Sequence, residues 1–72
     1  MKDGVKKATC LIIRKNSEYF VGTILYSTDL RWSSSPYDAW MTKNVKIAEE
    51  AARRLGGIVM VWNPIIRRMK VL

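Results

Sequence analysis

The sequence predicts a small α+β domain: a mostly antiparallel β-sheet, in the order β-β-(β)-α-β-β, with one helix packed across one face. Three observations predict it. Short runs of β-branched and aromatic residues alternate with turn residues. One stretch alone repeats apolar residues at helical spacing. At 72 residues the chain is long enough for one domain and no more. Residues 1–7 read as a flexible basic N-terminus, and residues 8–72 as the domain.

The first predicted strand is Ala8 to Lys15, centred on Ile12 and Ile13. Asn16 and Ser17 are residues that accept turn conformations, so a hairpin leads into a second strand, Tyr19 to Ser27. Gly22 inside that run marks a bulge or a close backbone approach. Thr28 and Asp29 turn the chain again, and Leu30 to Ser33 gives a short third strand.

Ser35, Pro36 and Asp38 form a helix-start signal. Ser35 is an N-cap, Pro36 takes the first helical position, where its missing N–H costs nothing, and Asp38 stands in for the acid of a capping box. The helix starts here or restarts after an interruption around residues 42–44. From Val45 the period is clear: Val45, Ala48, Ala51, Ala52 and Leu55 share one face. Lys46–Glu50, Glu49–Arg53 and Glu50–Arg54 are opposite charges four apart on the other face. Gly56 is placed to end the helix in a left-handed cap. Ile58 to Trp62 is the most strand-like run, Asn63-Pro64 breaks it, and Arg68 to Leu72 is a last strand paired back on it.

The strands do not alternate apolar with polar, as strands buried on one face do. Leu11 and Ile13 oppose Cys10 and Ile12. Tyr19, Val21 and Leu25 oppose Phe20, Ile24 and Tyr26. Ile58, Met60 and Trp62 oppose Val59 and Val61. Both faces of the sheet are apolar, yet one small, alanine-lined helix can shelter only one. The second face needs a cover: closure of the sheet on itself, the Tyr37/Trp40 segment, or another chain. A homo-oligomer or an apolar partner site is therefore expected.

Composition excludes several function classes. There is no histidine and one cysteine, Cys10, so neither an internal disulfide nor an ordinary zinc site can form, and no metal site or cofactor is expected. General acid–base work falls to groups that already have structural jobs: Glu49 and Glu50 pair on the helix, and Asp38 caps it. The Gly56-Gly57 pair follows a helix instead of preceding one, so it is no phosphate loop. No catalytic residues are assigned, and no small-molecule substrate is expected. No apolar run has the length of a membrane span or a signal core, so the expectation is a mature cytoplasmic protein that does not engage membranes.

Thirteen Lys/Arg against six Asp/Glu give a net charge of +7, which favours acidic partners. Two groups of residues are candidates to meet them. Arg31, Trp32, Tyr37 and Trp40 are residue types enriched in interface hot spots, and Arg67, Arg68 and Lys70 add charge that would steer an acidic protein surface. For the two tryptophans, pinning the helix start to the sheet is an equal alternative. A nucleic-acid-binding module would instead use Lys6, Lys7, Arg14, Lys15, Arg67 and Arg68, with sheet aromatics to stack on bases. The run Glu18 to Gly22 does not match the aromatic signature of an RNA-recognition sheet.

Arg31-Trp32-Ser33, Pro36-Tyr37-Asp38-Ala39-Trp40, the alanine-rich helix, Leu55-Gly56-Gly57 and Val59 to Pro64 together resemble small uncharacterised proteins of bacterial phages and prophages, over roughly residues 18–64. The resemblance implies a non-catalytic accessory protein in the host cytoplasm that binds one host or phage protein. Inhibitors such as anti-CRISPR and other anti-defence proteins are of this kind. It transfers no functional residue.

Overall fold

The computed structural model describes residues 8–23 and 29–72. The basic segment 1–7, the end of the second predicted strand and Thr28 of the predicted turn lie outside the described residues. Five strands form one antiparallel sheet: β1 Cys10–Lys15, β2 Glu18–Thr23, β3 Leu30–Ser33, β4 Ile58–Asn63 and β5 Arg68–Val71, in the spatial order β3-β2-β1-β4-β5. A helix, α1 Val45–Leu55, lies over β1 and β4. This is the predicted α+β fold.

Asn16 turns the β1–β2 hairpin with φ 58°, a backbone region that asparagine tolerates well. Gly22 sits at φ 152°, where the β2–β3 register slips between Phe20 and Gly22, so the predicted bulge is present.

The β1–β2 pairing is short. Only Arg14↔Tyr19 and Lys15↔Glu18 face each other next to the turn. Farther along, the strands part, and residues 40–42 enter the gap. Leu11 exchanges two backbone hydrogen bonds with Thr42, at 2.8 and 3.0 Å, and the Trp40 N–H donates to the Phe20 carbonyl at 2.8 Å. The chain thus passes through the sheet. Ala39 belongs to the core on one side and Trp40 to the core on the other.

This crossing corrects the predicted helix start. Ser35 does cap a turn, accepting from the Tyr37 N–H at 3.3 Å, but that turn is a 3-10 helix of three residues, Pro36–Asp38. Ala39 returns to extended backbone because the next residues are claimed by β1 and β2. Asp38 accepts from the Ser33 hydroxyl and closes no capping box on Ser35, whose N–H donates to Ser33 Oγ. The long helix restarts at Val45 under a different cap, Asn44, whose Oδ1 accepts from the Ile47 N–H at 3.1 Å.

Of the predicted apolar helix face, Ala48 and Ala52 are buried against Leu11, Ile13 and Val59, with Ala51 and Leu55 partly covered. Val45 is the exception. It sits at the helix start, close to half exposed, beyond the reach of the sheet. On the outer face, Arg53 and Arg54 both turn to Glu50; the expected Glu49–Arg53 pair gives way to Glu50–Arg53. Gly56 ends the helix at φ 71°, and the Gly57 N–H donates to the Ala52 carbonyl at 2.9 Å. Gly57 has its own reason: a Cβ there would lie 2.8 Å from Ile13 Cγ2 and 2.9 Å from the Arg14 carbonyl oxygen.

The second face of the sheet is covered within the single chain. Ile12 is fully buried, and Cys10, Met60 and Trp62 are at most 5% exposed. Ala39, Tyr19 and Met69 pack on them, and the Tyr37 ring meets Trp62 edge-on, with centroids 5.4 Å apart. Of the three covers open to the sequence, the Tyr37 segment is the one seen among the described residues. The centre of this face is therefore not bare in the isolated chain, while Ile58 and Val71 at its margins stay exposed.

Candidate partner-binding surface

The structure does not bring Trp32, Tyr37 and Trp40 together. Trp32 and Trp40 lie on the helix side, each edge-on to Phe20, with centroids 5.6 and 6.1 Å from it. Tyr37 lies on the opposite face against Trp62. The reason is the crossing at residues 39–40, which sends neighbours in sequence to opposite sides. Both tryptophans are half-buried, as befits pins between the sheet and the helix start. Tyr37 keeps 54% of its surface exposed, and Arg31 beside Trp32 is exposed.

The basic residues also separate. Lys15 stands at the β1–β2 turn with Nζ 5.9 Å from the centre of the Trp32 ring, a cation–π distance. Arg14, the residue before it, is half-buried on the opposite face, paired with Tyr19, and its Nε is shielded from water without a hydrogen-bond partner. Arg67 and Arg68 stand at the β4–β5 turn. Arg14 pairs with Ile58 and Arg68 with Asn63, at opposite ends of β4, so the two groups are roughly 17 Å apart along the strand. They do not merge into one patch. Lys6 and Lys7, the other members of the nucleic-acid set, lie outside the described residues.

A surface cleft of about 470 Å³ joins two of the predicted partner-binding residues. Arg68 and Lys70 line it together with Thr9, Val61, Asn63 and Ile66. Cross-strand partners in a sheet share a face. Lys70 opposite Val61 and Arg68 opposite Asn63 therefore project on the helix side. α1 packs over β1 and β4, and among the described residues nothing packs over the β5 side of that face.

The local sequence builds this corner. Asn63 is buried, donates to the Thr9 hydroxyl at 3.1 Å, and accepts from the Ile65 and Ile66 N–H groups at 3.0 and 3.3 Å. That Asx turn fixes the reversal after β4. Arg67 takes φ 54°, the left-handed region, to bring the chain into β5. The electrostatics are one-sided: all six acidic residues precede Ala51, so the stretch 51–72 carries five cations and no anion.

Sequence reading missed Thr9, Asn63 and Ile66 as part of this surface. Asn63-Pro64 was legible as a turn, and the acid-free stretch was the available signal for the charge. That Thr9 meets Asn63 depends on pairing across 54 positions.

Cys10 is buried, with Sγ 3.5 Å from the Trp62 carbonyl oxygen. Burial pushes its thiol pKa upward, and the charge of Lys43 offsets this in part. Such a thiol is a poor nucleophile. Among the described residues, no three metal-binding side chains gather, and no helix is long and apolar enough to cross a membrane. No family model, curated protein or solved structure matches the chain, so its surface chemistry has to be read from its own residues.

Proposed function

We propose that this chain is a non-catalytic, phage-type accessory protein that binds an acidic surface of one host or phage protein, with Arg67, Arg68 and Lys70 as the contacting cations. The observation that carries this reading is the cleft beside β5, where Arg68 and Lys70 stand exposed in a stretch with no acid to neutralise them. Charge of one sign steers encounter with the opposite sign and penalises wrong partners. An inhibitory role of the anti-defence kind is what the phage-protein resemblance adds. Arg31 and Tyr37 remain accessible for a second contact, whereas Trp32 and Trp40 serve packing first.

Nucleic-acid binding is the second reading, and one feature favours it: Lys15 stands over the half-exposed Trp32, a cation-and-aromatic pairing that suits a phosphate backbone and a base. The test is affinity capture from nuclease-treated host lysate, run with the natural chain and with an R67E/R68E/K70E variant. A protein held by the first and lost by the second is expected. Binding to mixed oligonucleotides that falls steeply with salt, with no such protein, would replace the first reading by the second.

A further inference from the structure

We propose that β5 receives an extended segment of the partner as a sixth strand, and that this segment alternates acidic and apolar residues. The inference rests on the protein-binding reading above and names its mode.

β5 is an outer strand: among the described residues, no strand lies beyond it. Its pairing with β4 is regular over four residues, Arg68↔Asn63, Met69↔Trp62, Lys70↔Val61 and Val71↔Met60. The Leu72 N–H donates to the Val59 carbonyl at 3.1 Å, which continues the same register. Antiparallel partners alternate between hydrogen-bonded and non-hydrogen-bonded pairs. With Leu72 and Val59 bonded, Lys70–Val61 and Arg68–Asn63 are bonded as well. The N–H and C=O groups of Met69 and Val71 therefore turn away from β4 and form the open edge. At the other end of the sheet, β3 offers a poorer edge, because the bulge at Gly22 breaks the regularity of its pairing.

Side-chain direction sets the chemistry of the incoming strand. On the helix side it runs beside Arg68 and Lys70, which calls for acids. On the other face it runs beside Met69, half-buried, and Val71, 60% exposed, which calls for apolar residues. A second copy of the chain meets repulsion in the registers that use Met69: pairing it with Val71 of the copy sets two Lys70 side chains opposite each other, and pairing it with Met69 of the copy sets Lys70 opposite Arg68.

The test uses a labelled hexapeptide alternating glutamate and valine, followed by fluorescence anisotropy at low salt. Three comparators accompany it. One is a block peptide of three glutamates and three valines, with the same charge. Another is the alternating peptide N-methylated on every second amide, in each of the two phases. The third is Val71→Pro, which removes only an N–H that points away from β4; retained thermal melting shows that it is folded. The alternating peptide should bind, and one N-methylation phase and Val71→Pro should each weaken it about tenfold. The block peptide should bind more weakly still. If the alternating, block and N-methylated peptides bind alike, strand addition is overturned while recognition of acidic partners stands. If the chain holds an acidic protein but not the alternating peptide, the result is the same. If no acidic ligand of either kind binds, both readings fall.

Discussion

Both faces of the sheet bury a set of apolar residues, but they are covered in different ways. On one side, an eleven-residue helix presents Ala48 and Ala52 to Leu11, Ile13 and Val59. On the other, among the described residues, the Tyr37 ring and Ala39 pack over Cys10, Ile12, Met60 and Trp62. The difference lies in which partner supplies the bulk. Alanines let a helix axis approach large sheet residues closely. On the second face the sheet itself carries Met60 and Trp62, so a short segment with one ring suffices. The crossing of the connecting chain from one side to the other is what lets residues 36–40 serve both faces.

Paired truncations give the sharpest test of that equivalence. Ile12 and Ile13 are both fully buried, on opposite faces. Ile12→Ala and Ile13→Ala should each cost about 2–5 kcal/mol in urea unfolding. A cost for Ile12→Ala well under half that for Ile13→Ala would mean that the second face is wet in solution, and the comparison would break. Gly57→Ala tests how tightly the helix end seats on β1. The new Cβ meets a backbone oxygen that cannot move aside, so a loss of about 1–3 kcal/mol is expected.

Smaller effects should distinguish the two covers. Asn44→Ala removes the true helix cap and should cost about 1 kcal/mol, whereas Ser35→Ala, which caps only the short turn, should cost less. On the second face, a double-mutant cycle of Tyr37→Ala with Trp62→Phe should give a coupling of about 0.5–1.5 kcal/mol. A coupling of zero would leave Ala39 as the only cover contributed by the crossing segment.

The smallest effect is one of pH. Burial raises the Cys10 thiol above its ordinary value of 9.0, so the unfolded chain loses that proton first. Stability conferred by the neutral thiol is complete below pH 9.0 and declines as the pH rises from there toward the folded value. The stability difference between the natural chain and Cys10→Ala should therefore shift against the natural chain from pH 8 to pH 10, as read by parallel denaturant melts.

Much of the fold was legible because its signals are local. Asn16 and Asn63 announce turns, Gly22 a bulge and Gly56 a helix end, each through the conformations its own side chain or hydrogen allows. The third strand, Leu30 to Ser33, matches its predicted bounds, and the restart of the helix after residues 42–44 was one of the two readings offered. The lack of apolar–polar alternation in β1 and β4 also told correctly that the centres of both faces are covered. The candidate surface was less legible. Arg68 and Lys70 line one cleft, but Trp32, Tyr37 and Trp40, close in sequence, ended on both sides of the sheet.

Composition and local pattern by themselves determined a single α+β unit with a +7 charge, a helix from Val45 ended by Gly56 and two apolar sheet faces. Tertiary structure alone decided what covers the second face, where the crossing occurs and which cations share a surface. The reason is range. Turn, cap and period are set within a few residues, whereas Leu11 meeting Thr42, Thr9 meeting Asn63 and Tyr37 meeting Trp62 depend on which strand lies beside which once the chain has folded.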